Sequence, residues 1–149
     1  MKVGLQKTSE IWETCLTGTR AVVFVVDDDE SVRGSLKRLI RSLGLAVEAF
    51  ASAEDFLSSP DAAAADCLIL DVRMPGLSGL DLQQRLAQAG SRIPIIFISA
   101  HDDHEARSRA MKAGAIAFLQ KPFDEEDLLE AICTALRRRR ARRQEREDT

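Results

Sequence analysis

The sequence contains few cysteines, few aromatic residues and no long apolar run. Its three cysteines, Cys15, Cys67 and Cys133, are an odd number, lie far apart and have no histidine beside them. They fit neither a disulfide framework nor a zinc site, and they suit a reducing compartment. No segment approaches the roughly 18 apolar residues of a membrane helix, and the N-terminus lacks the pattern of a secretory signal. We therefore expect a soluble, cytoplasmic protein that does not associate with membranes.

The negative net charge of −3 is unevenly distributed along the 149 residues. Residues 137–149 contain seven arginines and three acidic residues, a balance of +4, which leaves −7 for the rest of the chain. Binding to nucleic acid phosphates depends on clustered lysine and arginine. We therefore expect no direct nucleic acid binding by the acidic part of the chain.

Apolar segments alternate with amphipathic segments from residue 21 onward. The run Ala-Val-Val-Phe-Val-Val predicts a strand buried on both faces, and a helical pattern that ends at Gly44 follows it. The same alternation recurs, with predicted strands at residues 21–26, 45–50, 67–70, 93–98 and 116–119. Five strands, each followed by a helix, predict an α/β fold with one parallel sheet wrapped by helices on both faces. We expect an extension at residues 1–20, a domain at residues 21–136, and a basic helical extension or linker at residues 137–149.

Polar residues stand where the predicted strands end. Asp27 and Asp28 follow the first strand, Asp71 the third and Ser99 the fourth, and Lys121 lies close to the end of the fifth. The carboxyl ends of parallel strands form one edge of the sheet, where such folds carry their sites. Three carboxylates at one edge repel one another and favour recruitment of a cation. Magnesium suits them, with Asp28 and Asp71 as direct ligands and Asp27 acting through water.

This set contains the parts that phosphoryl transfer to a carboxylate requires. Asp71 would be the nucleophile, because it stands alone at the end of its strand, before a glycine-containing loop. Lys121 supplies a cation and Ser99 a hydroxyl donor for the phosphoryl oxygens.

The chain resembles the receiver domains of bacterial two-component response regulators. The resemblance covers residues 22–136 and is carried by Val25-Val26-Asp27-Asp28-Asp29-Glu30, Leu68-Ile69-Leu70-Asp71-Val72-Arg73-Met74-Pro75-Gly76-Leu77-Ser78-Gly79, Ser99-Ala100 and Lys121-Pro122-Phe123. It implies a flavodoxin-like sheet of order 2-1-3-4-5. It also implies these roles: Asp71 as phosphoacceptor; Asp27, Asp28, Asp71 and the Arg73 carbonyl as ligands of Mg²⁺, or alternatively Mn²⁺; Ser99, Phe118 and Lys121 as switch or phosphoryl-contacting residues; and a cis Lys121–Pro122 bond.

The resemblance also implies partners. A sensor histidine kinase would phosphorylate Asp71, and phosphorylation would switch the face formed by helix four, strand five and helix five, favouring a homodimer. The motifs are similar to those of regulators with a LuxR-like DNA-binding output domain, so we expect a role in transcription through a domain outside this chain. A stand-alone receiver that acts in protein interaction or in a phosphorelay is the alternative.

Other interpretations of individual residues and segments are also consistent with the sequence. Asp29 is equally well explained as a helix cap, and His101 and His104 as exposed loop and helix-start residues. The basic segment from residue 137 fits a linker, a dimer helix or a nucleic acid contact. An aspartyl phosphatase would need a second acid two residues after Asp71, where Arg73 stands. A pseudo-receiver would lack part of the acidic set, which is complete here.

Overall fold

The computed structural model describes residues 21–148, with side chains as far as residue 142. The extension predicted at residues 1–20, including Cys15, lies outside the described residues. Within the described range, no helix combines the length and the apolar character that crossing a membrane requires.

A five-stranded, all-parallel sheet forms the centre of the domain. Its order is β2-β1-β3-β4-β5, which confirms the predicted flavodoxin-like architecture. The strands are β1 (Val22–Val26), β2 (Ala46–Phe50), β3 (Cys67–Asp71), β4 (Ile95–Ser99) and β5 (Ala117–Gln120). The helices are α1 (Glu30–Ser42), α2 (Ala53–Ser58), α3 (Gly79–Gln88), α4 (His104–Lys112) and α5 (Glu125–Asp148), with a short 3₁₀ helix at Ala62–Ala64.

The strands lie close to the predicted segments, with small shifts at their ends. β4 begins two residues later than predicted, at Ile95, because Pro94 has no N–H to donate to a neighbouring strand. β5 is displaced by one residue toward Gln120. The 3₁₀ helix was not predicted, since an alanine-rich segment gives no periodic signal.

Two apolar layers cover the sheet, one on each face. Successive residues of β1 point to opposite faces, so Val23 and Val25 pack in the layer beneath α1 and α5, and Phe24 and Val26 in the layer beneath α2, α3 and α4. β3 and β4 are buried along their whole length. This double coverage explains why these strands read as continuous apolar runs.

Four helices begin with a side-chain cap at the carboxyl edge of the sheet. Asp29 accepts a hydrogen bond from the Ser31 N–H, which confirms its role as the cap of α1. The other three caps are Ser52 for α2, Ser78 for α3 and Asp103 for α4. These caps satisfy N–H groups that would otherwise lack partners, and they fix where each helix leaves the edge.

Helix α5 continues past residue 136 without a break. The basic segment is therefore helical as far as Asp148, and its role as an extension or a linker stays a prediction. Arg139 Nε lies 3.8 Å from Asp66 Oδ1, and Arg142 donates to the Arg92 carbonyl. The start of this segment thus contacts the domain, and a domain boundary at residue 136 stays a prediction.

Gly79 is the residue whose replacement should disturb the fold most directly. A Cβ at this position would stand far inside van der Waals contact of the Asp71 carbonyl oxygen. We expect Gly79→Ala to lower the free energy of unfolding by about 2 kcal/mol or more, because backbone rather than a flexible side chain must shift. Urea denaturation measures this change.

Gly34 is the matched control, since it lies within α1 and a Cβ there meets nothing within 4 Å. Gly34→Ala should raise the free energy of unfolding by about 0.5–1 kcal/mol, because alanine is the better helix former. Equal effects of the two substitutions would contradict the close approach at Gly79.

Candidate functional site

Three carboxylates meet at the carboxyl edge of β1 and β3. Val26 of β1 pairs with Leu70 of β3, so the residues that follow these positions emerge side by side. Asp27, Asp28 and Asp71 each offer an oxygen, and the three oxygens lie within 4.8 Å of one another. Asp27 and Asp71 are buried and Asp28 is exposed, so the cluster opens to solvent on one side.

This donor set fits Mg²⁺. The ion prefers hard oxygen ligands in octahedral geometry at about 2 Å and commonly keeps several waters. Three carboxylate oxygens at this separation can reach one ion after small side-chain adjustments, and the open side beside Asp28 leaves room for water. His101 and His104 do not belong to the cluster, and both are exposed, as expected.

Lys121 is the cation that the fold brings to the cluster. Its Nζ lies 2.9 Å from Asp27 Oδ2 and 3.9 Å from Asp71 Oδ1. The backbone N–H of Lys121 donates to the Ser99 carbonyl, and the Lys121–Pro122 peptide bond is cis. One ammonium group against three carboxylates leaves the pocket with excess negative charge, which favours a divalent cation.

The buried Asp27 is held from several directions. Its Oδ1 accepts from the Asp29 N–H at 2.8 Å, while Oδ2 accepts from Lys121. Arg33 of α1 donates to the Asp27 carbonyl at 2.8 Å. This contact could not be predicted, because nothing in the sequence distinguishes Arg33 from the other arginines of α1.

Burial and the neighbouring negative charge change the acidity of Asp71. Burial and, next, the charge of Asp27 raise the pKa of the Asp71 carboxyl to about 7 from its ordinary value of 3.8. A hydrogen bond with the Asp28 side chain also raises this pKa slightly, and the lowering effects of Lys121 and the Arg73 N–H do not offset these causes. Without a cation, Asp71 therefore keeps its proton to a higher pH than an ordinary aspartate does.

Ser99 lies at the end of β4, beside the strand that carries Asp71. It is buried, and its hydroxyl donates to the His101 carbonyl at 2.9 Å while accepting from the His101 N–H at 3.1 Å. The structure thus places Ser99 at the same edge of the sheet as the carboxylates, with its hydroxyl bonded to the backbone of the following loop.

Phe118 lies in the apolar layer beneath α4 and not in the acidic cluster. Its ring stacks on Phe97 with 6.1 Å between centroids, and the Arg107 guanidinium lies 5.3 Å from its centroid. The ring is buried, with 7% of its residue surface exposed. Phe118 therefore links β5 to α4 through its contact with Arg107.

Arg73 connects the β3–α3 loop, residues 72–78, to the start of α4. Its guanidinium donates to Asp103 Oδ2 at 3.0 Å. The Ala106 N–H and the Arg73 guanidinium, in that order, lower the pKa of the Asp103 carboxyl below its ordinary value. The side chain of Arg73 is 60% exposed, so this ion pair is screened by solvent.

Comparison with known proteins agrees with the fold and the acidic cluster. Residues 23–133 match the family described as the response regulator receiver domain. The chain is 56% identical over 117 residues to the response regulator protein TmoT of Ectopseudomonas mendocina, covering 78% of this chain and 53% of that protein. It is 53% identical over 126 residues to nodulation protein W of Bradyrhizobium diazoefficiens, covering 85% of this chain and 56% of the relative.

Solved structures give the same result. The response regulator StyR superposes with a TM-score of 0.79 at 49% identity, covering 87% of this chain and 66% of the StyR chain. The crystal structure of FixJ-N superposes with a TM-score of 0.72 at 38% identity, covering 80% of this chain and 95% of the FixJ-N chain. The chain belongs to the response regulator receiver family, and it spans about half the length of the curated relatives it matches.

The raised pKa of Asp71 predicts a pH-dependent stability in the absence of divalent cations. Below the ordinary pKa of 3.8 the carboxyl is protonated in both the folded and the unfolded chain, so its ionisation does not change the free energy of unfolding there. As the pH rises toward 7, the unfolded chain ionises first, and the folded state loses stability. We expect Asp71→Asn to stabilise the protein by about 2 kcal/mol at pH 8 and by far less at pH 4.

Chemical denaturation with EDTA present, at both pH values, measures this difference. Asp29→Asn is the matched control, because asparagine keeps the cap of α1 and lies outside the cluster. A stabilisation by Asp71→Asn that is equal at the two pH values would show that the ionisation of the Asp71 carboxyl in this buried, negatively charged site is not its cause.

Proposed function

We propose that Asp71 accepts a phosphoryl group from a sensor histidine kinase, with Mg²⁺ or Mn²⁺ held by Asp27, Asp28, Asp71 and the Arg73 carbonyl. The observation that carries this proposal is the acidic cluster, whose oxygens lie within 4.8 Å of one another beside Lys121. The family to which the chain belongs supports it, since receiver domains work with histidine kinases.

In the proposed transfer, a carboxylate oxygen of Asp71 attacks phosphorus in line with the bond to a kinase histidine. The new P–O bond forms as the P–N bond breaks, and the histidine nitrogen keeps the bonding electron pair. A divalent cation held by Asp27, Asp28 and Asp71 would neutralise charge on the phosphoryl oxygens. Its binding also favours the ionised form of Asp71, which is the nucleophile.

Lys121 and Ser99 would then stabilise the phosphorylated state. Lys121 already spans Asp27 and Asp71, so a small movement of Nζ brings its charge to a phosphoryl oxygen. The Ser99 hydroxyl would exchange its bond to the His101 carbonyl for one to the phosphoryl group. This exchange should cost little free energy, because the charged phosphoryl oxygen is a stronger acceptor than the carbonyl oxygen that it replaces.

The face of α4, β5 and α5 would report the change at Asp71. Movement of Ser99 alters the end of β4, against which β5 and the Phe118 ring pack. Phe118 in turn contacts Arg107 of α4. A shift in the population of this face, with homodimer formation as its outcome, is the proposed signal.

We also propose that this receiver controls transcription through an output domain outside the chain. The named relatives TdiR and FixJ are transcriptional regulatory proteins, and this chain covers 53% and 58% of their lengths. In this proposal residues 21–136 are the receiver and residues 137–149 lead toward the output domain. A stand-alone receiver that acts by protein–protein interaction or in a phosphorelay is the alternative, since the acidic cluster is formed within residues 21–136 alone.

Phosphorylation by a small phosphodonor tests the proposed acceptor. Incubation with acetyl phosphate and Mg²⁺ should add the mass of one phosphoryl group to the wild-type chain, as measured by intact-mass spectrometry. The addition should be absent in Asp71→Asn, because the amide oxygen is a poor nucleophile. The control Asp29→Asn should be labelled like the wild type; a label that persists in Asp71→Asn would contradict the proposal, and turnover of a phosphoester would indicate an enzyme instead.

A phosphoryl mimic tests the proposed switch. Beryllium fluoride with Mg²⁺ should shift the amide NMR signals of residues 100–136 and increase self-association in sedimentation experiments. Ser99→Ala should reduce both effects severalfold, because alanine has no hydroxyl that could donate to the mimic. Ser35→Ala, an exposed substitution on α1, should leave them unchanged. Unaltered spectra across residues 100–136 in the wild type would count against the switch.

A further inference from the structure

Glu54 of α2 contacts the loop that follows Asp71. Its Oε1 accepts a hydrogen bond from the Leu77 N–H at 3.1 Å, across 23 residues of sequence. The neighbouring Gly76 approaches the same carboxylate so closely that an added Cβ would lie 2.8 Å from Oε2. Glu54 therefore lies directly against the middle of the β3–α3 loop.

Helix α2 gives Glu54 a fixed base despite its short length. Ala53 and Phe56 are buried, with 0% and 1% of their surfaces exposed. The Phe56 ring packs edge-on against Phe24 and Phe50, with 5.8 Å between centroids in both pairs. Two buried neighbours of Glu54 thus anchor the helix to the sheet, so the carboxylate is held relative to β1 and β2.

The β3–α3 loop has fixed ends and an exposed middle. The Gly79 N–H donates to the Val72 carbonyl at 2.9 Å, which joins the two ends of the loop. The Met74 side chain is also buried. Gly76, in the middle, is exposed and has φ +78°, a conformation that glycine adopts at low cost. The Glu54 contact is made at Leu77, next to this exposed glycine, and the half-buried Leu77 side chain packs against the apolar layer.

We propose that Glu54 is a positioning residue for this loop. By holding the Leu77 N–H, it keeps the loop in the conformation in which Arg73 directs its N–H to the Asp71 carboxylate and offers its carbonyl to the divalent cation. This inference rests on the proposed function of the acidic cluster and adds a residue from outside it. Groups that orient a metal ligand through hydrogen bonds commonly change metal affinity when they are removed.

The geometric role can be separated from the charge of Glu54. Glu54→Gln keeps an acceptor oxygen for the Leu77 N–H but removes the negative charge, whereas Glu54→Ala removes both. Asp55→Asn is a matched control, since it removes one negative charge from the same turn of α2 while the cap contact to its backbone N–H remains.

Two measurements on the four proteins decide the proposal. Amide hydrogen exchange reports the Leu77 N–H directly, and NMR titration with Mg²⁺ alone gives the dissociation constant. For Glu54→Ala we expect Leu77 exchange to accelerate at least about tenfold and the Mg²⁺ dissociation constant to rise about tenfold. Glu54→Gln and Asp55→Asn should stay within about twofold of the wild type on both measurements. Circular dichroism should show unchanged helix content in every variant.

Several outcomes would overturn the proposal. An unchanged exchange rate of the Leu77 N–H in Glu54→Ala would show that Glu54 does not hold this group. Equal weakening of Mg²⁺ binding in Glu54→Ala, Glu54→Gln and Asp55→Asn would assign the effect to charge and not to positioning. If the wild type bound no Mg²⁺ and took no phosphoryl group, the proposed function would fail, and the positioning role would fall with it; the Leu77 exchange would still report the contact separately.

A second variant tests the contact without any metal. Gly76→Ala places a Cβ against the Glu54 carboxylate in addition to straining the backbone. In the Glu54→Ala background the steric part disappears, so Gly76→Ala should destabilise the protein less than it does in the wild type. Equal destabilisation in the two backgrounds, measured by urea denaturation, would contradict the close approach of the two residues.

Discussion

Mutual repulsion among three carboxylates at one rim of the sheet is the constraint on which the chemistry of this domain depends. Asp27 and Asp71 are buried and Lys121 compensates only one charge, so the folded chain carries an unfavourable concentration of negative charge. The folding free energy of the rest of the domain must hold these groups together. A divalent cation would relieve this repulsion, and a phosphoryl group on Asp71, as proposed, would bring negative charge back into the same space.

The parallel sheet makes this concentration possible. Because β1 and β3 are adjacent and run in the same direction, residues far apart in sequence leave the sheet at the same edge. Both faces of the sheet are buried beneath apolar layers, so the strand ends are rigid. Helix caps at Asp29, Ser52, Ser78 and Asp103 then fix the loops around the carboxylates. Polar groups are thereby collected at one edge, while the apolar layers supply the stability that their repulsion removes.

The sheet and the acidic cluster could be predicted from the sequence because both depend on local patterns. Buried parallel strands read as apolar runs, and the residue after each run must lie at the carboxyl edge, as Asp27 and Asp71 do. The contacts of Glu54 and Arg33 could not be predicted, since each depends on how a helix is placed relative to a loop or a strand end. Likewise, the basic segment lacks an apolar stripe, yet Arg139 reaches the domain through a charged partner.

The continuity of α5 has a mechanical consequence. A helix that continues unbroken past residue 136 would transmit direction as well as distance to any segment that follows it. Each residue inserted in such a helix turns everything beyond it by about 100° and advances it by about 1.5 Å. In a longer chain, the orientation of a following domain relative to the receiver would therefore depend on the number of residues in this helical segment, independently of their chemical identity.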